Sequence, residues 1–387
     1  MNNYIKSKLA LFYFVLYLGG SIAIPFIQVF LEHLGYNVVQ RGIMLTSAAI
    51  IATITQLVIG YIADKYKTDR WPFNITLIIV VISAYLFYIS NNILFTYHLI
   101  LVSLLLGLFK TINASQDAWL LGINQDCKNN FGRIRAFASL AWVIGSFAGG
   151  IIIKHYDYST IGYIFVICSI IVLLISFIIP EGKRENIGPY INIKDIKLLF
   201  NNKGFIIATL VLLGVEIIFM AGQYTLVDKF ILLNASTETI GLYWSIQSLV
   251  ELPLFLLAPR LLMRYKDYNM LMIATIIYII RFILYGYVQT SELLIIVTLS
   301  QAITFPLLMI VSKTIIDRFI PDNMKATGQT ISMAIYVGLP SLLVPLISGY
   351  LIDIFNVDFA LYIFGLSGII PIILLIYLVK NIINKEV

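Results

Sequence analysis

Six ionisable residues stand inside otherwise apolar runs: Lys110, Asp117, Arg135, Glu216, Glu251 and Arg281. A charge at the middle of a membrane span costs about 2.5–3.5 kcal/mol. Six of them facing lipid would be costly, so they are expected to face a polar interior and to pair. Carboxylates and guanidiniums at that depth can do two kinds of work. They can bind the hydroxyls of a polar solute, or they can load and release a proton.

Spacing sorts the six into two groups. Asp117 and Arg135 lie about equally far from the turn near Asn124–Lys128, so adjacent antiparallel helices bring them to one depth. Lys110, Asn113 and Asp117 share a helix face, and Arg135, Ser139, Trp142 and Ser146 share another. Tyr13, Tyr17, Ser21 and Gln28 follow one face of the first span. Such a groove suits a polyhydroxylated ring, with charged groups for the hydroxyls and an indole for the apolar face. The plainer alternative is an Asp–Arg clamp that only holds helices together.

In the second group, Glu216, Glu251 and Arg281 fall at similar depth around two successive turns. Two carboxylates against one guanidinium leave one negative charge over, and apolar surroundings favour neutralising it with a proton. A carrier driven by protons needs such a group. The alternative is that Glu251 and Arg281 form structural glue. Gln301 and Thr304 share a face of the tenth span and can add polar contacts.

The elements that must position these residues are helices. The chain has 387 residues, 60% apolar and 12% charged, with a mean hydropathy of +0.93. Soluble domains are nearer about 25% charged. That excludes a cytosolic enzyme, a secreted disulfide scaffold and a disordered regulator. Spans are predicted near 9–31, 42–63, 72–90, 94–122, 134–153, 162–179, 205–231, 240–262, 268–288, 292–316, 328–352 and 359–379. Barrel strands would alternate with period two, and these runs do not. The polar linker 181–204 bisects the chain, giving six-helix bundles over 1–180 and 205–387.

Lys and Arg set the orientation. With both termini on one side, that side holds 21 of the 26 basic residues, which predicts cytoplasmic termini in a bacterial inner membrane. Arg41, Lys154 and Lys229 fall on the other side. The net charge of +6 lies in short loops, so it reads as topology and not as a nucleic-acid surface. His33, His98 and His155 are expected at the outer interface. Cys127 and Cys168 differ in depth, so no disulfide is expected. Neither a metal framework nor a cleavable signal peptide is expected, and no H-E-x-x-H motif is present, so the chain does not read as an enzyme.

Gly60-Tyr-Ile-Ala-Asp64-Lys65, running on to Arg70, resembles the loop 2–3 signature of the major facilitator superfamily. The resemblance implies an all-α membrane protein of twelve helices in two pseudo-symmetric six-helix bundles, with Gly60, Asp64 and Lys65 at a gate. Asn130-Phe-Gly-Arg-Ile-Arg135 through Trp142 looks like span 5 of the oligosaccharide–proton symporters related to lactose permease. It implies substrate contacts at Asp117, Arg135 and Trp142. The likeness continues through Ala258-Pro259 and Arg281. That group's helix-10 His and Glu positions fall on Gln301 and Thr304, its helix-11 Lys on Val337 and its helix-7 acids near Met220 and Gln223. Glu251-Leu-Pro253 is instead similar to the Glu-x-Pro of the wider group that includes phenylpropionate and nucleoside permeases.

Taken together, the expectation is a proton-coupled importer of a small polar solute working by alternating access. Substrate would meet Asp117, Arg135, Trp142, Lys110, Asn113, Tyr17 and Gln301, and the proton would meet Glu251, Glu216 and Arg281. Its partners would be a small-molecule substrate, protons and the bilayer. A monomer without cofactor is expected. The alternatives are a drug–proton antiporter, which Gly145-Ser-Phe-Ala-Gly149-Gly150 matches except for its missing Pro, and a carrier of aromatic acids.

Overall fold

A computed structural model describes residues 2–182 and 193–383. No strand occurs among the described residues. Among the described residues, twelve helices are long and apolar enough to cross a bilayer. They are α1 (Tyr4–His33), α2 (Val38–Tyr66), α3 (Arg70–Tyr88), α4 (Phe95–Ile123), α5 (Phe131–His155) and α6 (Tyr158–Ser176). Then follow α7 (Lys203–Leu232), α8 (Thr237–Ala258), α9 (Asp267–Tyr287), α10 (Ser291–Asp317), α11 (Thr327–Ile354) and α12 (Val357–Asn381). Lipid offers no partner for a free N–H or C=O, so each backbone bonds within its own helix. Of the expected linker, residues 183–192 lie outside the described residues.

The helices start where side chains can take up orphan N–H groups. Asn37 and Gln40 form a reciprocal capping box at α2. Asn202 caps α7, Asp157 caps α6 and Asn356 caps α12. Helix α2 ends at Lys67 in the left-handed region, with φ of 50°.

The chain divides into two compact units. One holds α1 to α6 with Asn234–Leu249, the first half of α8. The other holds the described chain from 193 to Leu233 and from Val250 onward. In the first unit α1 packs on α5 and α6, and α3 packs on α4 and α6. In the second, α7 packs on α11 and α12, and α9 packs on α10 and α12. The pairing repeats with an offset of six helices, which is the pseudo-symmetry of the fold.

Two helices of the second unit are irregular near polar residues. Helix α10 is interrupted at Leu299 and Ser300, where the backbone tightens into i→i+3 bonds such as Leu299 N–H to Ile296 O and Ala302 N–H to Leu299 O. Pro306, which has no N–H to donate, follows within two turns. Helix α11 widens into a π-turn over Ala334–Gly338.

His98 departs from the expected interfacial place. It is fully buried, and its Nδ1 lies 2.7 Å from the Tyr36 hydroxyl. Arg41 is buried as well and donates to the Tyr36 carbonyl. Lys229, expected at the outer surface, is 0% exposed and pairs with Asp358 of α12. In each case a partner elsewhere in the fold, the α1–α2 loop residue Tyr36 or Asp358 of α12, replaces water, which sequence depth alone cannot show.

Candidate functional site

In the first unit the acid and base expected to meet do meet. Arg135 Nε donates to Asp117 Oδ2 at 3.3 Å, and the Tyr13 hydroxyl donates to Asp117 Oδ1 at 2.8 Å. Helices α1, α4 and α5 thus share one carboxylate. Tyr17 stacks on Tyr13 with centroids 6.3 Å apart, and Trp142 and Phe109 both meet Tyr17 edge-on at 6.5 Å. The Arg135 side chain keeps 43% exposure and that of Asp117 28%, so the pair is open on one side. Asn113 lies on the same face as Asp117, and its Oδ1 is buried without a partner. Lys110 is exposed and makes no ion pair or hydrogen bond with a described residue.

The second unit is built differently. Arg281 touches neither carboxylate. Its guanidinium donates to Gln301 Oε1 and, at 3.0 Å, to the Thr304 hydroxyl. Gln301 Nε2 donates in turn to Glu251 Oε1 at 2.8 Å. The amide therefore stands between base and acid, with both of its ends engaged. Arg281 also lies over the Tyr278 ring, 4.6 Å from its centroid, and is only 4% exposed. Glu216 is buried on α7 and makes no hydrogen bond or ion pair with a described residue. The expected Glu251–Arg281 contact is thus replaced by a bridge, and Gln301, expected to bind substrate, is its keystone. The break in α10 immediately precedes Gln301 and sets where its side chain begins.

Residues 6–363 match the MFS_1 like family. The chain belongs to that family. It is 22% identical over 382 residues to a maltose permease of Geobacillus stearothermophilus, covering 97% of this chain and 95% of that protein. It is 24% identical over 383 residues to the uncharacterized transporter YwbF of Bacillus subtilis (strain 168), covering 97% and 94%. Among solved structures it is similar to the nucleoside transporter NupG, with a TM-score of 0.79 at 17% identity over 98% of this chain and 100% of that one. A bacterial homologue of the human lysosomal transporter Spinster, inward-facing and occupied, gives a TM-score of 0.75 at 12% identity over 99% and 98%. These likenesses show the major facilitator fold. They place the MFS_1 like chain among multi-pass membrane transporters, which are not enzymes.

At the α2–α3 turn of this MFS_1 like chain, residues beyond those expected at the gate also make contacts. A Cβ at Gly60 would meet no atom within 4 Å. Lys65 is exposed and lies beside the rings of Tyr61 and Tyr66, 5.8 and 5.6 Å from their centroids. Asp64 is exposed too. Further contacts come just beyond. Glu181 accepts from the Thr68 hydroxyl at 3.0 Å and from the Asp69 and Arg70 N–H groups at 2.9 and 3.3 Å. Arg70 donates to the carbonyls of Ser176 and Ile179, and Trp119 Nε1 donates to the Pro180 carbonyl at 2.9 Å. The Pro180-Glu181 step after α6 thereby fastens the start of α3. The sequence carried a signal for it, a lone acid directly after a span and a Pro, but nothing tied that acid to a turn about 110 residues earlier.

Proposed function

We propose that the protein is a proton-coupled carrier that imports a small polar organic solute, of the sugar or nucleoside kind, by alternating access. It would sit in the cytoplasmic membrane with both termini inside, as the excess of Lys and Arg on one side of the spans supports. The maltose permease among its relatives and the nucleoside transporter among its structural neighbours support the solute class.

One observation carries the proton role: Glu251 faces the Gln301 amide and not the Arg281 guanidinium. A carboxylate held in a direct ion pair loses much on protonation. A carboxyl oxygen facing an amide N–H can accept that hydrogen bond whether the group is charged or neutral. The bridge therefore tolerates both states, as a group that loads and unloads must. Arg281, fixed by Gln301 and Thr304, supplies positive potential without quenching the acid. Glu216, buried and unpaired, is a second place for the proton, since an isolated buried charge is costly and a neutral carboxyl is not.

Substrate would be held at Asp117 and Arg135, whose open side can exchange water for hydroxyls. Tyr17 and Trp142 would present ring faces and edges to the apolar side of a sugar or base. Lys110 and Asn113, one without a partner and the other with a free carbonyl oxygen, would complete the polar lining. Gly60, Asp64 and Lys65 would act at the inner gate only through the turn that Glu181 secures.

The test is transport by Glu251→Gln in vesicles. Solute exchange down its own gradient should persist near the wild-type rate, while uphill uptake driven by a proton gradient should fall at least ~100-fold. Uphill uptake at wild-type level would refute the assignment.

A further inference from the structure

Helix α5, which carries Arg135, also forms a second site with α1, on a different face. Between the N-terminal ends of α1 and α5 lies a cavity of about 680 Å³. Its mouth is lined by Lys6 and Arg133, and its length by Leu11, Phe14, Phe137 and Leu140. At about 100° per residue, Phe137 and Leu140 point within ~40° of Arg133, whereas Arg135, Ser139 and Trp142 point to the opposite side of α5. The groove is thus separate from the polar site.

Charge and depth both select its occupant. Lys6 is paired with Asp126 at 3.0 Å, but Arg133 is exposed and makes no ion pair or hydrogen bond with a described residue. Both cations lie within the first turn or so of their helices, at the level of the lipid headgroups. Leu140 lies about 10 Å deeper than Arg133 and Phe14 about 12 Å deeper than Lys6. The apolar part of the groove therefore extends into the acyl layer. Leu11, Phe137 and Leu140 are 50%, 44% and 48% exposed, so each leaves about half of its surface open to the groove.

We propose that this groove seats an anionic phospholipid, with its phosphate held by Arg133 assisted by Lys6 and an acyl chain laid along Leu11, Phe14, Phe137 and Leu140. Arg suits the phosphate because its planar fork donates two parallel hydrogen bonds. The site depends only on the chain being membrane-embedded and not on the solute or the proton.

Native mass spectrometry of the intact purified protein tests it, with phosphatidylglycerol and phosphatidylcholine of identical chains as probes. The wild type should hold the first phosphatidylglycerol several-fold more tightly than phosphatidylcholine. Arg133→Gln should weaken phosphatidylglycerol about fivefold, the equivalent of ~1 kcal/mol per cation at the surface, and leave phosphatidylcholine unchanged. Arg133→Lys should retain most of the preference, as should Lys128→Gln, which removes an exposed cation outside the groove. Absence of a headgroup preference in the wild type, or an equal loss in Lys128→Gln, overturns the proposal. Should Arg133→Gln not fold, Phe137→Trp gives a second measure. Its added fluorescence should be quenched more by phosphatidylglycerol with brominated chains than by the matching phosphatidylcholine, and equal quenching overturns the site.

Discussion

The two units use the same helix pairs and opposite chemistry. At mid-span the first unit joins acid to base directly, Asp117 to Arg135, while the second inserts the Gln301 amide between Glu251 and Arg281. At the helix ends where α1 meets α6 and α7 meets α12 the pattern is reversed. Helices α1 and α6 close on aromatic rings, with Phe30 4.8 Å and His33 5.3 Å from Tyr158. The equivalent pair α7 and α12 closes on an ion pair, Lys229 with Asp358, which Gln289 joins at 3.3 and 3.1 Å. A repeated backbone thus fixes where helices meet and leaves the contact chemistry free. Ion pairs hold shape where they lie buried at an end. They remain adjustable where they are open or separated at the centre.

The largest effect should come from the buried ion pair at the end of α7. Asp358→Asn leaves the buried Lys229 ammonium without a counter-charge, with only neutral amides beside it, and should cost about 3 kcal/mol of stability. Replacing both, Lys229→Met with Asp358→Leu, should recover most of that loss, because an apolar pair leaves no buried charge behind. Unfolding of the purified variants measures this. Recovery would mark the pair as one tolerable solution among several, as the aromatic version in the first unit implies. If the double variant stays as unstable as the single one, the equivalence of the two ends is broken.

Next comes the bridge. A double-mutant cycle between Glu251→Gln and Gln301→Leu should give a coupling of about 1.5–3 kcal/mol if Glu251 is charged and about 1 kcal/mol if it carries a proton. Repeating the cycle from pH 8 to pH 5 should move the value from the higher range to the lower. A coupling that stays constant would remove Glu251 as the proton carrier. The corresponding cycle between Asp117 and Arg135 should give only about 0.2–1 kcal/mol, because water screens a pair whose side chains are 28% and 43% exposed. Its loss should appear in solute affinity instead, with Arg135→Gln weakening binding at least ~10-fold while stability changes little.

That difference also explains what could be read from the sequence. The twelve spans were legible to within five residues, because apolar length sets them. The Asp117–Arg135 contact was legible because one short turn separates α4 from α5, so equal distance from the turn is nearly equal place. The relation of Glu251 to Arg281 was not. Depth fixes level along a helix but not the direction in which a side chain points, and the break at Leu299–Ser300 that presents Gln301 depends on local tightening of α10. Burial of His98 and Lys229 was hidden for a related reason. Their partners come from elsewhere in the fold, Tyr36 from the α1–α2 loop and Asp358 from α12.

The smallest effect concerns the caps of α6 and α12, equivalent helices started by a charged and an uncharged residue. Asp157 accepts from the Thr160 N–H at 3.0 Å, and Asn356 accepts from the Phe359 N–H at 2.8 Å. Hydrogen bonds from the Ser159 hydroxyl and the Thr160 N–H hold the Asp157 carboxyl below its ordinary value. A depressed native value means that this contribution is complete above the ordinary carboxylate range and fades as pH falls through the lowered value. Asn356 does not titrate and adds no such slope. Asp157→Ala and Asn356→Ala should each cost about 1 kcal/mol at neutral pH. Asp157→Asn should be nearly silent at pH 7 but should flatten the loss of stability between pH 5 and pH 3. Melting temperatures across that range decide it, and an unchanged acid slope in Asp157→Asn would show that the two caps work alike whatever their charge.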